Sequence, residues 1–292
     1  VSTLSRQFVK RCDIRDFDDP ELLQAIRDLL PERDPKEFAE RKTWEYALLT
    51  LFLRDVGRLA NDTKALAVGA GDERVVFWLA NHLGKVVATD IYGSGDFAQA
   101  EGAASMLTDP RSHAPFPYRE DHLEVLYMDG RRLEFADESF DVVFSMSSIE
   151  HFGALDDIAR AAEEIGRVLK RGGHAFLTTE CYIRKHPVNS IPVDLAIKAA
   201  SLGRLRKRAG ARRRGGVDVL TIGEIRRSII EASGLRMMQP LDLSISRDSF
   251  DNVAVATRNG DVTPSSGRIW PHIVLEFRRS TYTSIALALE KT

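Results

Sequence analysis

Two clusters in the sequence have the residue types and spacing to do chemistry. The first begins with Gly69, Ala70 and Gly71, which close the apolar run KALAVG, and it continues at Asp90, which ends the next apolar run, KVVATD, 19 residues after Gly71. Glycine has no Cβ, so a ligand can approach the backbone closely there. A carboxylate at the end of the following strand is placed to accept hydrogen bonds from two ribose hydroxyls. The second cluster is Glu150-His151, just after the apolar run FDVVFSM. A histidine that titrates near neutrality can take a proton from a reacting group. His151 could equally stack on a bound ligand or cap the next helix.

Two ligand classes fit the first cluster, and charge separates them. A dinucleotide would rest its pyrophosphate on the N-terminus of the helix that follows the glycines. That N-terminus carries Asp72 and Glu73, whose carboxylates would repel a pyrophosphate, and the third glycine of the dinucleotide fingerprint is replaced by Arg74. S-adenosylmethionine (SAM) has no phosphate, and its methionyl end carries an ammonium group that acids attract. The acids therefore favour SAM over NAD, although they would also complement the helix dipole with no ligand present.

Alternating strands and helices must position these clusters. Residues 21–60 read as helices, with Pro20 opening ELLQAIRDLL and Pro31 and Pro35 breaking the pattern. From Lys64 the periodicity alternates. KALAVG, KVVATD, LEVLYMD, FDVVFSM and HAFLTTE read as five strands, while residues 73–83 and 95–107 and LDDIARAAEEIGRVLK read as helices, the last stopped by Gly172-Gly173. TIGEIRRSIIEASG reads as a helix with Thr221 as N-cap and Gly234 as C-cap. LRMMQPL, NVAVAT and TSIALALE are strand-like, and two of them are expected to complete the sheet. The expected fold is α/β: a doubly wound, Rossmann-like sheet, mostly parallel with an antiparallel last strand. N-terminal helices and an insertion after strand five are added to it. Residues 1–62 form a helical extension or cap, residues 63–292 the main domain, and residues 184–217 an insertion that could act as a lid. Both clusters fall at carboxyl ends of strands, where such sheets bind ligands.

The blocks VGAGDE, VVATDIYG, MDGRRLEFADESFDVVFSMSSIEHFG and EIGRVLKRGGHAFLTTE, in that order, resemble the class I SAM-dependent methyltransferases, most of all the type-11 group. The resemblance implies SAM as cofactor, with Gly69, Ala70 and Gly71 under its methionyl and ribose parts. It places Asp90 on the ribose hydroxyls and Ile91 against the adenine. Asp129 would accept from the adenine amino group beside Gly130, and Ser145 and Met146 would line the methionyl channel. The chain departs from the family twice: the acid two residues before the first glycine is Ala67, and the third glycine of the loop is Glu73. Either Glu73 supplies the missing carboxylate, or it faces solvent and backbone carbonyls hold the methionyl amine. Glu150 and His151 lie where the family places its acceptor. SSIEHF is also similar to the E-x-x-E-H pattern of ubiquinone-pathway and small-RNA O-methyltransferases, whose carboxylates and histidine can bind a divalent ion. The first acid of that pattern is Ser147 here, and although Glu180 could enter from strand five, no metal is assigned.

The expected reaction is methyl transfer to a hydroxyl of a small molecule or glycan. Nitrogen or carbon acceptors, and a SAM-binding module without catalysis, are the alternatives. A dehydrogenase would need a Tyr-x-x-x-Lys pair or similar hydride chemistry, which is not found. Bulk properties agree: 292 residues, 43% hydrophobic and 29% charged, with a formal net charge of −2, give a globular chain without a global pull toward nucleic acid or anionic membrane. No apolar stretch is long enough for a membrane span. Two distant cysteines, Cys12 and Cys181, and a charged N-terminal stretch without an apolar leader point to the cytoplasm. Acceptor selection is expected in the N-terminal helices, in the 108–121 loop with His113, Phe116 and Tyr118 beside His122, and in the insertion. There, RLRKRAGARRR packs seven basic residues into eleven. Such a run could contact an anionic acceptor or form a solvated face.

Overall fold

Five of the apolar runs lie side by side as parallel strands. They are β2 (Lys64–Val68), β3 (Lys85–Asp90), β4 (Leu123–Tyr127), β5 (Phe140–Met146) and β6 (Leu169–Arg184), in spatial order β4-β3-β2-β5-β6. The structure is a computed structural model and describes residues 4, 6–95, 102–187, 218–256, 262–264 and 270–292. Most of the insertion, residues 188–217, including the Arg-rich run, lies outside the described residues. Ala65–Val68 and Val142–Met146 are buried throughout, as expected of strands covered on both faces. The first strand of this series, β2, has β3 on one side and β5 on the other, so the strand order reverses between β2 and β5. Both clusters emerge on either side of that reversal.

The long β11 (Ser280–Glu290) runs antiparallel to β6, from Tyr282 opposite Tyr182 to Glu290 opposite His174. All three C-terminal pieces join the sheet: β7 (Arg236–Met237) pairs with β11, and β8 (Ala254–Ala256) continues outward through β10 (Leu275–Phe277), with β9 (Val262–Pro264) beyond it. The N-terminal segment joins too. Strand β1 (Lys10–Arg11) pairs antiparallel with β11, setting Lys10 opposite Ala286.

Helix α1 (Pro20–Leu29) starts at Asp19, whose carboxylate accepts from the Glu21 N–H at 2.9 Å, with Pro20 at the first helical position. Helix α2 (Arg41–Asp55) is buried along Thr43–Leu53 and packs on α1, β6 and β11. Helix α3 (Arg74–Ala80) follows the glycine loop. Helix α4 (Leu155–Val168) buries one apolar face and ends before the glycine pair, not at it. Leu169 is already paired with Phe140 in the sheet, and the Lys291 ammonium caps the helix by donating to the carbonyls of Gly166, Arg167 and Leu169 at 2.8–3.2 Å. Helix α5 (Ile222–Ile225) continues as a π-helical turn over Arg226–Glu231. Thr221 and Glu224 form a reciprocal cap at its start, and Gly234 sits at φ +65° just past its end.

Residues 96–101 of the helix expected over 95–107 lie outside the described residues. At its end the described residues show a 3₁₀ turn, Ala104–Leu107. Gly93 and Gly95 take φ of +75° and +78°, and the Gly93 N–H donates to the Gly102 carbonyl at 2.7 Å. Among the described residues no helix is long and apolar enough to cross a membrane. Cys12 and Cys181 are buried free thiols.

Candidate active site at the strand ends

The glycine loop turns back sharply after β2. Gly69 and Gly71 sit at φ +67° and +50°, where L side chains are strained. A Cβ on Gly69 would lie 2.7 Å from Ser148 Cβ and 2.9 Å from Phe152 Cζ. A Cβ on Gly130 would lie 2.7 Å from Phe152 Cε2. The Phe152 ring therefore packs between the two glycine turns. At the end of β3, the Asp90 carboxylate accepts from the Gly71 N–H at 2.9 Å and the Ile91 N–H at 2.7 Å. Burial raises its pKa against those two bonds. The structure thus brings Gly69, Ala70, Gly71, Asp90 and Ile91 together around one turn. Such a cradle, with little Cβ bulk and a buried carboxylate at its rim, fits a nucleoside carrying a ribose diol.

The remaining expected cofactor residues lie nearby in different states. Asp129 is partly exposed and paired with Arg131, whose hydrogen bonds hold its carboxyl below the usual range. Ser145 is buried, and its hydroxyl has no partner among the described residues. Met146 is buried, and its carbonyl accepts from the Lys42 ammonium at 2.7 Å. Glu73 does not face solvent: its side chain is 10% exposed and forms an ion pair with Lys42. Burial pushes its pKa up to about 7 in spite of that lysine, and Glu45 and Asp90 add to the rise.

From Glu73 a row of charges crosses the ends of β5, β6 and β11. Lys42 lies 3.7 Å from Glu45, which is fully buried on α2. Glu45 accepts from the hydroxyls of Ser147 (2.8 Å), just past the end of β5, and of Thr178 (3.0 Å) and Ser284, inside β6 and β11. Ser147 sits at φ +51°, a strained position for a serine, and its hydroxyl is one of those fixed on Glu45. Arg41 donates to the Ser284 hydroxyl at 3.3 Å and pairs with Glu180 at 2.6 Å. Burial opposes the charge on Arg41, but Glu180, Glu45, Tyr282 and Glu150 together raise its pKa.

The second cluster continues this row. Glu150 is fully buried and accepts from the Glu180 N–H at 2.9 Å, while its other oxygen has no partner among the described residues. Burial pushes its pKa up to about 7. The His151 ring is 30% exposed, and its Nδ1 lies 3.1 Å from the Asp218 carboxylate. Burial lowers its pKa, but Asp218, Glu150 and Glu180 outweigh that and bring it above the ordinary histidine value.

Sequence reasoning missed Arg41, Lys42, Glu45, Phe152 and Asp218. The one signal for the first three is that RKTWEYALLTLFL places Glu45 inside an otherwise apolar helix, where an acid must find partners. The 108–121 loop proves to be packing. His113 bonds to Asp72 at 3.0 Å, Tyr118 meets the Phe77 ring edge-on at 5.1 Å, and His122 bonds to the Leu83 carbonyl at 2.8 Å. This ties the loop to α3 and the residues after it. Glu180 is held by Arg41, and among the described residues no group of three or more His, Cys, Asp or Glu side chains is arranged to hold a metal ion. Two open cavities, of about 410 and 340 Å³, are lined by none of the residues of the row; Trp270 borders the larger and Arg15 the smaller.

Residues 66–177 match the family described as the methyltransferase domain. No curated protein matches the sequence. Among solved structures, the chain is similar to one provisionally assigned as a sarcosine dimethylglycine methyltransferase from Galdieria sulphuraria. That likeness has 14% identity and a TM-score of 0.50 and covers 85% of each chain, which shows a shared fold. A provisionally assigned methyltransferase from Bacillus halodurans is 16% identical, with 82% of this chain and 98% of that chain covered and a TM-score of 0.49.

Proposed function

With residues 66–177 a class I, SAM-dependent methyltransferase domain, we propose that the chain methylates a hydroxyl of a small molecule or glycan, with His151 as the proton acceptor. SAM supplies a methyl group already activated by its sulfonium. The protein's tasks are to hold the acceptor in line with that methyl and to remove a proton, and positioning alone contributes several kcal/mol in such reactions.

The observation that carries this reading is the His151–Asp218 pair beside Glu150 and Glu180. Asp218 at Nδ1 orients the ring, and Nε2 is the nitrogen to which we assign the hydroxyl proton. As the acceptor oxygen bonds to the methyl carbon and the sulfur–carbon bond breaks, that proton moves to Nε2. Glu150 and Glu180 favour the imidazolium that results.

His151→Ala should bind SAM as the parent does and lose ~10²–10⁴-fold in kcat. The parent's kcat should rise with pH through a limb above the ordinary histidine value, since the base works only when deprotonated. Asp218→Asn should move that limb to lower pH, because the residue that raises the His151 pKa has lost its charge. A His151→Ala variant with near-normal kcat would sink the hydroxyl reading. It would favour an amine acceptor, whose charge the surplus carboxylates of this row would suit and which needs no histidine base once neutral.

A further inference from the structure

Lys42 reaches the cofactor side of the sheet from the N-terminal segment, outside residues 66–177. We propose that Lys42 and Glu73 together hold the amino-acid end of SAM, with the Glu73 carboxylate receiving its ammonium and the Lys42 ammonium its carboxylate. The inference rests on the cofactor alone and is independent of which acceptor is methylated.

Place is the first argument. Lys42 is anchored on the Met146 carbonyl at 2.7 Å, at the end of β5. The Ser148 hydroxyl donates to the Gly69 carbonyl at 2.7 Å and lies 3.3 Å from that same Met146 carbonyl. The lysine's anchor is therefore one hydroxyl away from the glycine loop, and Glu73 is two residues beyond Gly71 on the loop's other side.

Charge is the second argument. Lys42 faces both Glu73 and Glu45 and is shared between them, while Arg41, which pairs with Glu180 and donates to Ser284, also acts on Glu45. Burial leaves Glu73 poorly compensated by this shared lysine, as its raised pKa reflects. A further ammonium would supply the missing charge. Its carboxylate would in turn find Lys42, which Glu73 keeps protonated in spite of burial. An amino-acid zwitterion laid against this ion pair makes four charges of alternating sign.

Absence of a competitor is the third. Position 67, two residues before the first glycine, is an alanine that is 1% exposed, so no acid at that position can take the ammonium. The carboxylate has been moved to Glu73, and Lys42 is its counter-ion.

Calorimetry without any acceptor tests this. S-adenosylhomocysteine carries the amino-acid end, its decarboxylated analogue keeps only the ammonium, and 5′-methylthioadenosine lacks both. Lys42→Met should weaken S-adenosylhomocysteine about 10–100-fold, as for the loss of a charged hydrogen bond, and leave 5′-methylthioadenosine within about two-fold. The parent should bind the decarboxylated analogue about 10–100-fold more weakly than S-adenosylhomocysteine, and Lys42→Met should erase that gap. Lys42→Arg should keep it. Unchanged or tighter binding of S-adenosylhomocysteine by Lys42→Met would overturn the proposal, because Lys42 would then be a bystander or a plug. Equal weakening of all three ligands would overturn it as well. Should Lys42→Met not fold, Lys42→Gln takes its place, and a parent that binds S-adenosylhomocysteine and its decarboxylated analogue equally well refutes the proposal with no variant at all.

Discussion

The cofactor loop and the charged row lie side by side at the same strand ends, yet they are built from opposite materials. The loop is backbone: two glycines at positive φ and a carboxylate held by two N–H groups, all within Gly69–Ile91. The row is side chain: Glu45 takes hydroxyls from Ser147, Thr178 and Ser284, which lie 102, 133 and 239 positions away. A site that must recognise one fixed cofactor can be written in a single short stretch. The row instead draws on side chains from the whole chain, so it exists only once the fold is complete.

If that division is real, damage to the two regions should separate. Glu45→Ala should give the largest effect, a stability loss of about 2–4 kcal/mol, because it takes the acceptor from two buried hydroxyls and one half-buried one and weakens the hold on Lys42. Denaturant unfolding measures it, and a loss below about 1 kcal/mol would mean that the row is not a structural unit. Asp90→Ala should do the reverse: about 10–100-fold weaker binding of SAM and S-adenosylhomocysteine by calorimetry, with a smaller change in stability than Glu45→Ala. Comparable unfolding by both variants would break the comparison.

The smallest effect concerns pH. Burial raises the Glu73 carboxyl from 4.5 to about 7, so the folded state binds a proton that the unfolded state releases. Its contribution to stability is greatest below pH 4.5 and is lost as pH rises through 7 in the ligand-free protein. Glu73→Gln, which cannot ionise, should remove that slope when its unfolding free energy is compared with the parent's between pH 4.5 and 7.5. A slope unchanged by the substitution would place the charge deficit elsewhere in the row, with Glu150 the next residue to test, since burial raises it in the same way.

Much of this architecture was legible because it is local. Apolar runs of five to seven residues ending on Gly69, Asp90 and Met146 specify parallel strands and mark where their ends must be. Asp90 could be read from spacing alone because a strand, a turn and a helix have fixed lengths. The orientation of Glu73 could not, because its partner is 31 positions upstream on a helix whose rotation the sequence does not state. Asp218 was equally hidden: it meets His151 across 67 positions, just after a long insertion.

The pairing of β1 with β11 sets an order of events during synthesis. Lys10 and Arg11 leave the ribosome well before their strand partners, Ala286 and Ile285, are made. Ser284, which completes the hydroxyl set around Glu45, arrives with them. The glycine loop and its neighbouring strands can assemble from contiguous chain while translation proceeds, whereas the charged row waits for β11. A nascent chain of this protein therefore holds its glycine loop before it holds the complete charged row.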